Sequence, residues 1–155
     1  MCPKHFAANE QETFRRGNAG RNVDAVDSIL TERALRELYL KPFEMLVRDA
    51  KIACIMTSFN KINGIFTGGS QDLCTYILRE EWGFDGAVVT DWGDMDMVVD
   101  GADAVAAGND IVMPGGPPVI RQILKGYEEC RVTREELETA VHHLLAMIEK
   151  IGMAG

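Results

Sequence analysis

The sequence has little that points to nucleic acid, metal or membrane. Its 16 Lys and Arg stand against 24 Asp and Glu, leaving a formal net charge of −8. An acidic chain lacks the basic patch that phosphate backbones require, whereas a neutral substrate would not be repelled. Four cysteines occur, at Cys2, Cys54, Cys74 and Cys130, too far apart for a CxxC-type zinc pattern. Cys54 lies in an apolar run and Cys74 in a helical pattern, so the thiols read as buried and reduced, in keeping with a reducing compartment. No apolar stretch reaches the ~18 residues of a membrane span. The opening Met1-Cys2-Pro3-Lys4-His5 has no signal-peptide core, which favours a cytoplasmic location. Gly68-Gly69 has no following Lys-Ser/Thr, which argues against a phosphate loop. Asp91, Asp94 and Asp96 hint at a calcium loop, but Val98 and Val99 stand where a further ligand and a glycine belong, so no metal site is expected. There is no internal repeat and no low-complexity linker.

What is present is the composition of a globular domain. Hydrophobic residues make up 46% and charged residues 26% of 155 residues, which excludes a disordered chain. A chain of this size can bury roughly 68–70% of its unfolded surface. It is too short for a complete (β/α)₈ barrel, which takes about 250 residues.

Helical and strand patterns alternate along it. Residues 31–50 read as a helix capped by Thr31, with Leu35, Leu38, Pro42, Phe43, Leu46 and Val47 on one face. Pro42 should kink or split that helix. Ile52 to Thr57 is a short continuous apolar run, typical of a strand buried on both faces. Asn63-Gly64 marks a turn. Ser70 can cap a helix carrying Leu73, Tyr76, Ile77 and Trp82, ended by Gly83. Gly86 to Thr90 is a second buried strand, residues 95–107 read as helical, and Asp110 to Met113 is a third strand. A helix follows from about 118 to 129. Thr133 to Glu136 is a capping box opening the last helix, with Leu137, Val141, Leu144, Leu145 and Ile148 as its apolar positions. Such alternation implies a parallel sheet with right-handed crossovers, in a doubly wound fold or part of a barrel. Both gather chemistry at the C-terminal ends of strands.

Three polar clusters fall at or near such ends: Lys4-His5, Ser58-Phe59-Asn60 and Asp91-Trp92. Asp91 follows five small or apolar strand residues, which hold its carboxylate rigidly and partly desolvated. Trp92 adds an apolar wall and a stacking face. A carboxylate beside an aromatic suits sugar chemistry, in which it attacks an anomeric carbon or steadies an oxocarbenium ion. The structural alternative for Asp91 or Asp94 is a helix N-cap. Lys4, His5 and the Arg15-Arg16 pair could donate hydrogen bonds to sugar hydroxyls or a carboxylate, or could be solvated surface groups. His142 and His143 lie on the last helix, away from any strand end, and read as surface residues. Met56 reads as core by its spacing.

The same clusters resemble the first domain of family 3 glycoside hydrolases, the β-glucosidase/β-xylosidase group. Lys4-His5-Phe6-Ala7-Ala8-Asn9-Glu10-Gln11-Glu12 with Arg15 is similar to that family's Lys-His-Phe motif. Thr31 to Phe43 is similar to the helix after it, and Met56 to Gly64 to the next strand and loop. Glu81 to Gly86 leading to Thr90-Asp91-Trp92-Gly93 resembles the nucleophile segment. Gly108-Asn109-Asp110 with Met113-Pro114-Gly115 resembles the last barrel strand. Five motifs in the family's order span nearly the whole chain.

The resemblance implies a single partial domain over residues 1–155, about half of a (β/α)₈ TIM-like barrel and its C-terminal portion. It implies a retaining β-glycosidase that acts without cofactor or metal on terminal, non-reducing β-glucosyl or xylosyl residues. Asp91 matches the nucleophile. Lys4, His5 and Arg15 match residues that hydrogen-bond the terminal sugar, while Trp92 and Met56 match pocket residues. Phe59 stands in the pocket where the family often has Tyr. The general acid/base usually belongs to a later domain, so the isolated chain is expected to be nearly inactive. Ala7-Ala8-Asn9 in place of Pro-Gly, and the absence of an Asp-Ser-His loop, favour the glucosidase/xylosidase branch over the aminosugar branch. A half barrel leaves open strand edges that could pair with a second copy or with the missing half. A non-catalytic sugar-binding or assembly module remains the alternative, and a phosphate-using α/β enzyme a more remote one.

Overall fold

The computed structural model describes residues 1–93 and 98–152. In chain order these residues form β1 (Asp27–Ser28), α1 (Glu32–Ala34, Leu35–Leu40 and Lys41–Arg48), β2 (Cys54–Met56), β3 (Lys61–Ile62) and β4 (Ile65–Phe66). After them come α2 (Asp72–Glu81), β5 (Ala87–Val89), α3 (Gly101–Ala107), α4 (Pro117–Glu128) and α5 (Arg134–Lys150). The fold is mixed α/β with parallel strands.

The central sheet pairs β2 with β5 in parallel, Ile55 opposite Val88. Single parallel bridges extend it on both sides, Phe6 with Thr57 and Val89 with Ile111. Four parallel segments therefore lie side by side in sequence order. The third strand expected over 110–113 shrinks to the bridge at Ile111, because Pro114 stops it and Met113 N donates to Thr90 Oγ1 (2.9 Å) rather than to a strand carbonyl. A small second sheet joins β1, β3 and β4. Its Asn63-Gly64 turn has both residues at positive φ (50° and 89°), the two-residue hairpin that the dipeptide favours.

Helix α1 begins at the Thr31 cap, whose hydroxyl accepts from Ala34 N at 3.2 Å. Leu35–Leu40 is a π-helical stretch, and α-helical geometry resumes at Lys41 with Pro42 in its first turn. The wider π turn shifts the face presented to the core. Leu40 is buried, while Leu38, expected inward from a 3.6-residue period, is 66% exposed. α2 is also π-helical; Leu73, Cys74, Ile77 and Leu78 are buried and Tyr76 points outward. In α5 the capping box forms as expected. Ala140 is buried and Leu137 packs beside it, whereas Val141 and Leu145 are exposed.

Two apolar clusters result. Phe6, Ile55, Val88, Leu78 and Trp82 fill the space between the sheet, α1 and α2. Phe6 packs edge-on against Phe43 and Trp82, with ring centroids 5.1 and 6.1 Å away. Val99, Ala102, Val105, Val112 and Val119 join α3, α4 and α5.

One ion network ties these layers together. The Asp110 side chain is 2% exposed. Its Oδ2 accepts from Arg79 Nη2 (2.5 Å) and Val88 N (2.7 Å), and its Oδ1 lies 2.9 Å from His143 Nδ1. Arg79 also donates to Gly86 O at 3.0 Å. His143 is thus not the surface residue expected: α5 lies against β5 and turns that ring inward. The thiols also depart from expectation. Cys74 is buried and Cys54 half-buried, but Cys2 and Cys130 are exposed. Cys2 lies in the segment that runs beside β2 and Cys130 in the turn between α4 and α5. No described helix is long and apolar enough to cross a membrane.

Asp110→Asn leaves Arg79 buried without its counter-ion, so stability in urea should fall by about 3–5 kcal/mol. Gly126 gives a sharper test of packing. A Cβ there would overlap Ala102 Cβ. Helix propensity favours Ala over Gly by about 1 kcal/mol, whereas overpacking costs about 1–3 kcal/mol. Gly126→Ala should therefore lower the urea midpoint; a raised midpoint would show that the α3–α4 contact has room to give.

Candidate active site

β5 runs into Thr90 and Asp91 at its C-terminal end. Thr90 is held on both sides: its N donates to Ile111 O (2.9 Å) and its Oγ1 donates to Asp91 O (3.1 Å). Asp91 is 8% exposed. Its Oδ1 accepts from Trp92 N at 2.7 Å. Its Oδ2 is buried without a hydrogen-bond partner, and His5 Nε2 lies 3.3 Å away without alignment for a hydrogen bond. Among the described residues the cap of α3 is Asp100, whose side chain accepts from Ala102 N. Asp94, Asp96 and the start of the helix expected from 95 fall at least partly outside the described residues. Among the described residues no three His, Cys, Asp or Glu side chains converge as a metal site would need.

His5 is held in place from below. Buried Asn60 donates through Nδ2 to Ala7 O (3.2 Å) and Ala8 O (3.1 Å), and Ser58 Oγ donates to Ala7 O (3.1 Å). Ser58 and Asn60, singled out for their place after a strand, thus donate to the Ala7 and Ala8 carbonyls just after Lys4 and His5, while Asn60 Oδ1 is buried without a partner. Burial lowers the His5 pKa below its ordinary 6.5; the Asp91 charge opposes this, and Lys4 and Arg15 reinforce it.

A cavity of about 450 Å³ opens beside Asp91. Its walls are Glu12, Phe14, Arg15, Arg16, Gly17, Phe59, Asp91 and Trp92. The Phe59 ring is buried, and the Arg15 and Arg16 guanidinium groups lie 4.8 and 5.6 Å from its centroid. Arg15 is also paired with Glu12 at 2.9 Å, and Asn9 Nδ2 donates to the same carboxylate at 2.8 Å. Trp92 is 63% exposed at the cavity wall.

Of the residues singled out from sequence, Asp91, Phe59, Trp92 and Arg15 share this cavity, and His5 touches Asp91. Lys4 is exposed and Met56 half-buried, and neither lines the cavity wall. Arg16, paired with Arg15 as a possible donor, does line it. Glu12, Phe14 and Gly17 do so as well and were not picked out, since an aperiodic loop carries no spacing signal. A second cavity of about 600 Å³ lies between α2, α3 and α5 around Arg79, Asp110 and His143, away from these strand ends.

Residues 2–147 match the glycosyl hydrolase family 3 N-terminal domain. The chain belongs to glycoside hydrolase family 3. A family relative, a β-glucosidase of Ruminococcus albus, is 40% identical over 96% of this chain and 17% of its own length. β-Glucosidase 3B of Thermotoga neapolitana, solved with glucose, superposes with a TM-score of 0.83 at 36% identity, over 95% of this chain and 20% of that one. The family 3 β-glucosidase of Bifidobacterium adolescentis gives the same TM-score at 34% identity, over 96% of this chain and 20% of that one. The chain thus spans about a fifth or less of the length of these family 3 relatives.

The His5 shift has a definite sign. Folding favours the neutral ring, so its contribution to stability is whole above pH 6.5 and is lost as pH falls through the lower folded value. NMR titration of the His5 ring should give a midpoint below 6.5. Asp91→Asn removes the charge that raises it and should move the midpoint lower still; an upward move would contradict the arrangement.

Proposed function

We propose that this chain supplies the nucleophile and part of the sugar site of a retaining β-glycosidase acting on terminal, non-reducing β-D-glucosyl or xylosyl residues. The observation that carries this reading is the unpartnered Asp91 Oδ2 at a strand's C-terminal end, inside a cavity floored by Phe59 and flanked by Trp92. In the first step Oδ2 bonds to the anomeric carbon as the glycosidic C–O bond breaks, and the leaving oxygen takes a proton from an acid. Water then cleaves the glycosyl ester and restores the carboxylate. Arg15 and Arg16 present donors for sugar hydroxyls, and Trp92 a stacking face. The glucosidase names of the relatives support a glucosyl substrate.

The four parallel segments in sequence order support an arc of a (β/α)₈ barrel. Among the described residues the Phe6 segment and the Ile111 segment each have one edge without a strand partner. Those edges are where further barrel strands, or a second copy, would pair.

Glu12 is the other carboxylate in the cavity wall, and Arg15 and Asn9 already engage it. The described residues thus offer no free acid for the leaving group. The same observation favours a second reading, a sugar-binding or assembly module. An activated 2-fluoro-β-glucosyl donor separates the two. Intact-mass measurement should show one glycosyl adduct on the Asp91 peptide, abolished by Asp91→Asn. Glucose binding by calorimetry that is unchanged in Asp91→Asn, with no adduct, would favour the module. Hydrolysis of an unactivated disaccharide by this chain should be slower by about 10²–10⁴ than when the acid is present.

A further inference from the structure

The sugar site makes no use of Cys2 and Cys54. Their sulfurs lie 3.0 Å apart. The contact follows from the sheet rather than from side-chain chance. Met56 N donates to Pro3 O (3.0 Å) and Phe6 N donates to Met56 O (2.8 Å), and this register lays Cys2 beside Cys54 on the neighbouring segment. Adjacent strands run about 4.7–4.9 Å apart, within the Cα separation that a disulfide spans. Cys2 is exposed to solvent and Cys54 is half-buried. One sulfur is open to a reagent and the other stands behind it, the arrangement of an attacking and a resolving thiol. The hydrogen bond between the two sulfurs lowers Cys2 to about 7, while the same contact and burial push Cys54 upward. Cys74 is fully buried and pushed up to about 12 by desolvation, so it does not compete.

We propose that Cys2 and Cys54 are a reversible dithiol–disulfide pair, oxidised by small disulfides of the glutathione class. The Cys2 thiolate bonds to one sulfur of the small disulfide, whose S–S bond breaks and releases one thiolate. Cys54 loses its proton and attacks the Cys2 sulfur, releasing the second thiolate. Two protein thiols and one small disulfide become one protein disulfide and two small thiols. The bond links the segment bearing Lys4 and His5 to β2.

The test treats the reduced 155-residue chain with oxidised glutathione, traps free thiols by alkylation, and maps peptides by mass spectrometry. The expected product has lost two alkylatable thiols, carries a Cys2–Cys54 linked peptide, and retains no glutathione. Cys54→Ser should hold glutathione at Cys2, because the resolving thiol is gone. Cys2→Ser, at an exposed position, should show neither a disulfide nor an adduct at Cys54. Glutathione retained on Cys2 in the unaltered chain, a disulfide through Cys130, or unchanged thiols would each overturn the proposal.

Discussion

The Asp110 carboxylate is the constraint on which the rest of the structure depends. A single buried side chain joins α2 through Arg79, β5 through Val88 N, and α5 through His143. Burying such a charge is unfavourable unless every lone pair finds a donor, and here the donors come from three elements. The carboxylate precedes Ile111 and reaches across to Val88, so it sets the register in which Ile111 O receives Thr90 N. That register fixes where β5 ends and where Asp91 stands. An ion pair on one side of the sheet thereby positions a carboxylate beyond the strand's far end.

The site inverts this pattern. Asp110 has every oxygen occupied; Asp91 has Oδ1 occupied and Oδ2 left over. An unsatisfied buried oxygen costs on the order of 1–3 kcal/mol, more when charged, and the surrounding fold must offset it. Asn60, Ser58 and Thr67 do part of that by fixing the Ala7 and Ala8 carbonyls and the loop after β2. The cavity wall is electrostatically mixed. Arg15 is neutralised by Glu12, Arg16 is exposed, and Phe59 serves as a shared platform for both guanidinium groups. A phenyl ring suffices for that platform, so the missing hydroxyl at this position leaves the arginines in place.

Much of this was legible in residue order. The apolar runs at 52–57 and 86–90 became strands, Asn63-Gly64 became a hairpin turn, and Thr133 with Glu136 closed a capping box. These signals are local, and local physics decides them. The inward faces of α1 and α2 were less legible, since a π turn changes the period on which the reading relies. The place of Asp91 just beyond a strand end was legible, because a carboxylate after an apolar run is conspicuous. The roles of Ser58, Asn60 and His143 were not, because each depends on which backbone or carboxylate arrives from another part of the chain. The paired cysteines were hidden for the same reason: only strand register brings Cys2 to Cys54.

The parallel pairing also bears on how the chain assembles. Every contact in the central sheet joins residues far apart in sequence, from Val89 with Ile111 at the short end to Phe6 with Thr57 at the long end. Closing the longer loop costs only about 1 kcal/mol more, since closure entropy grows with the logarithm of length. Loop length therefore ranks these pairings only weakly. The helices between these segments bury the apolar faces that close each pairing. Non-local parallel topology of this kind favours slow, cooperative assembly.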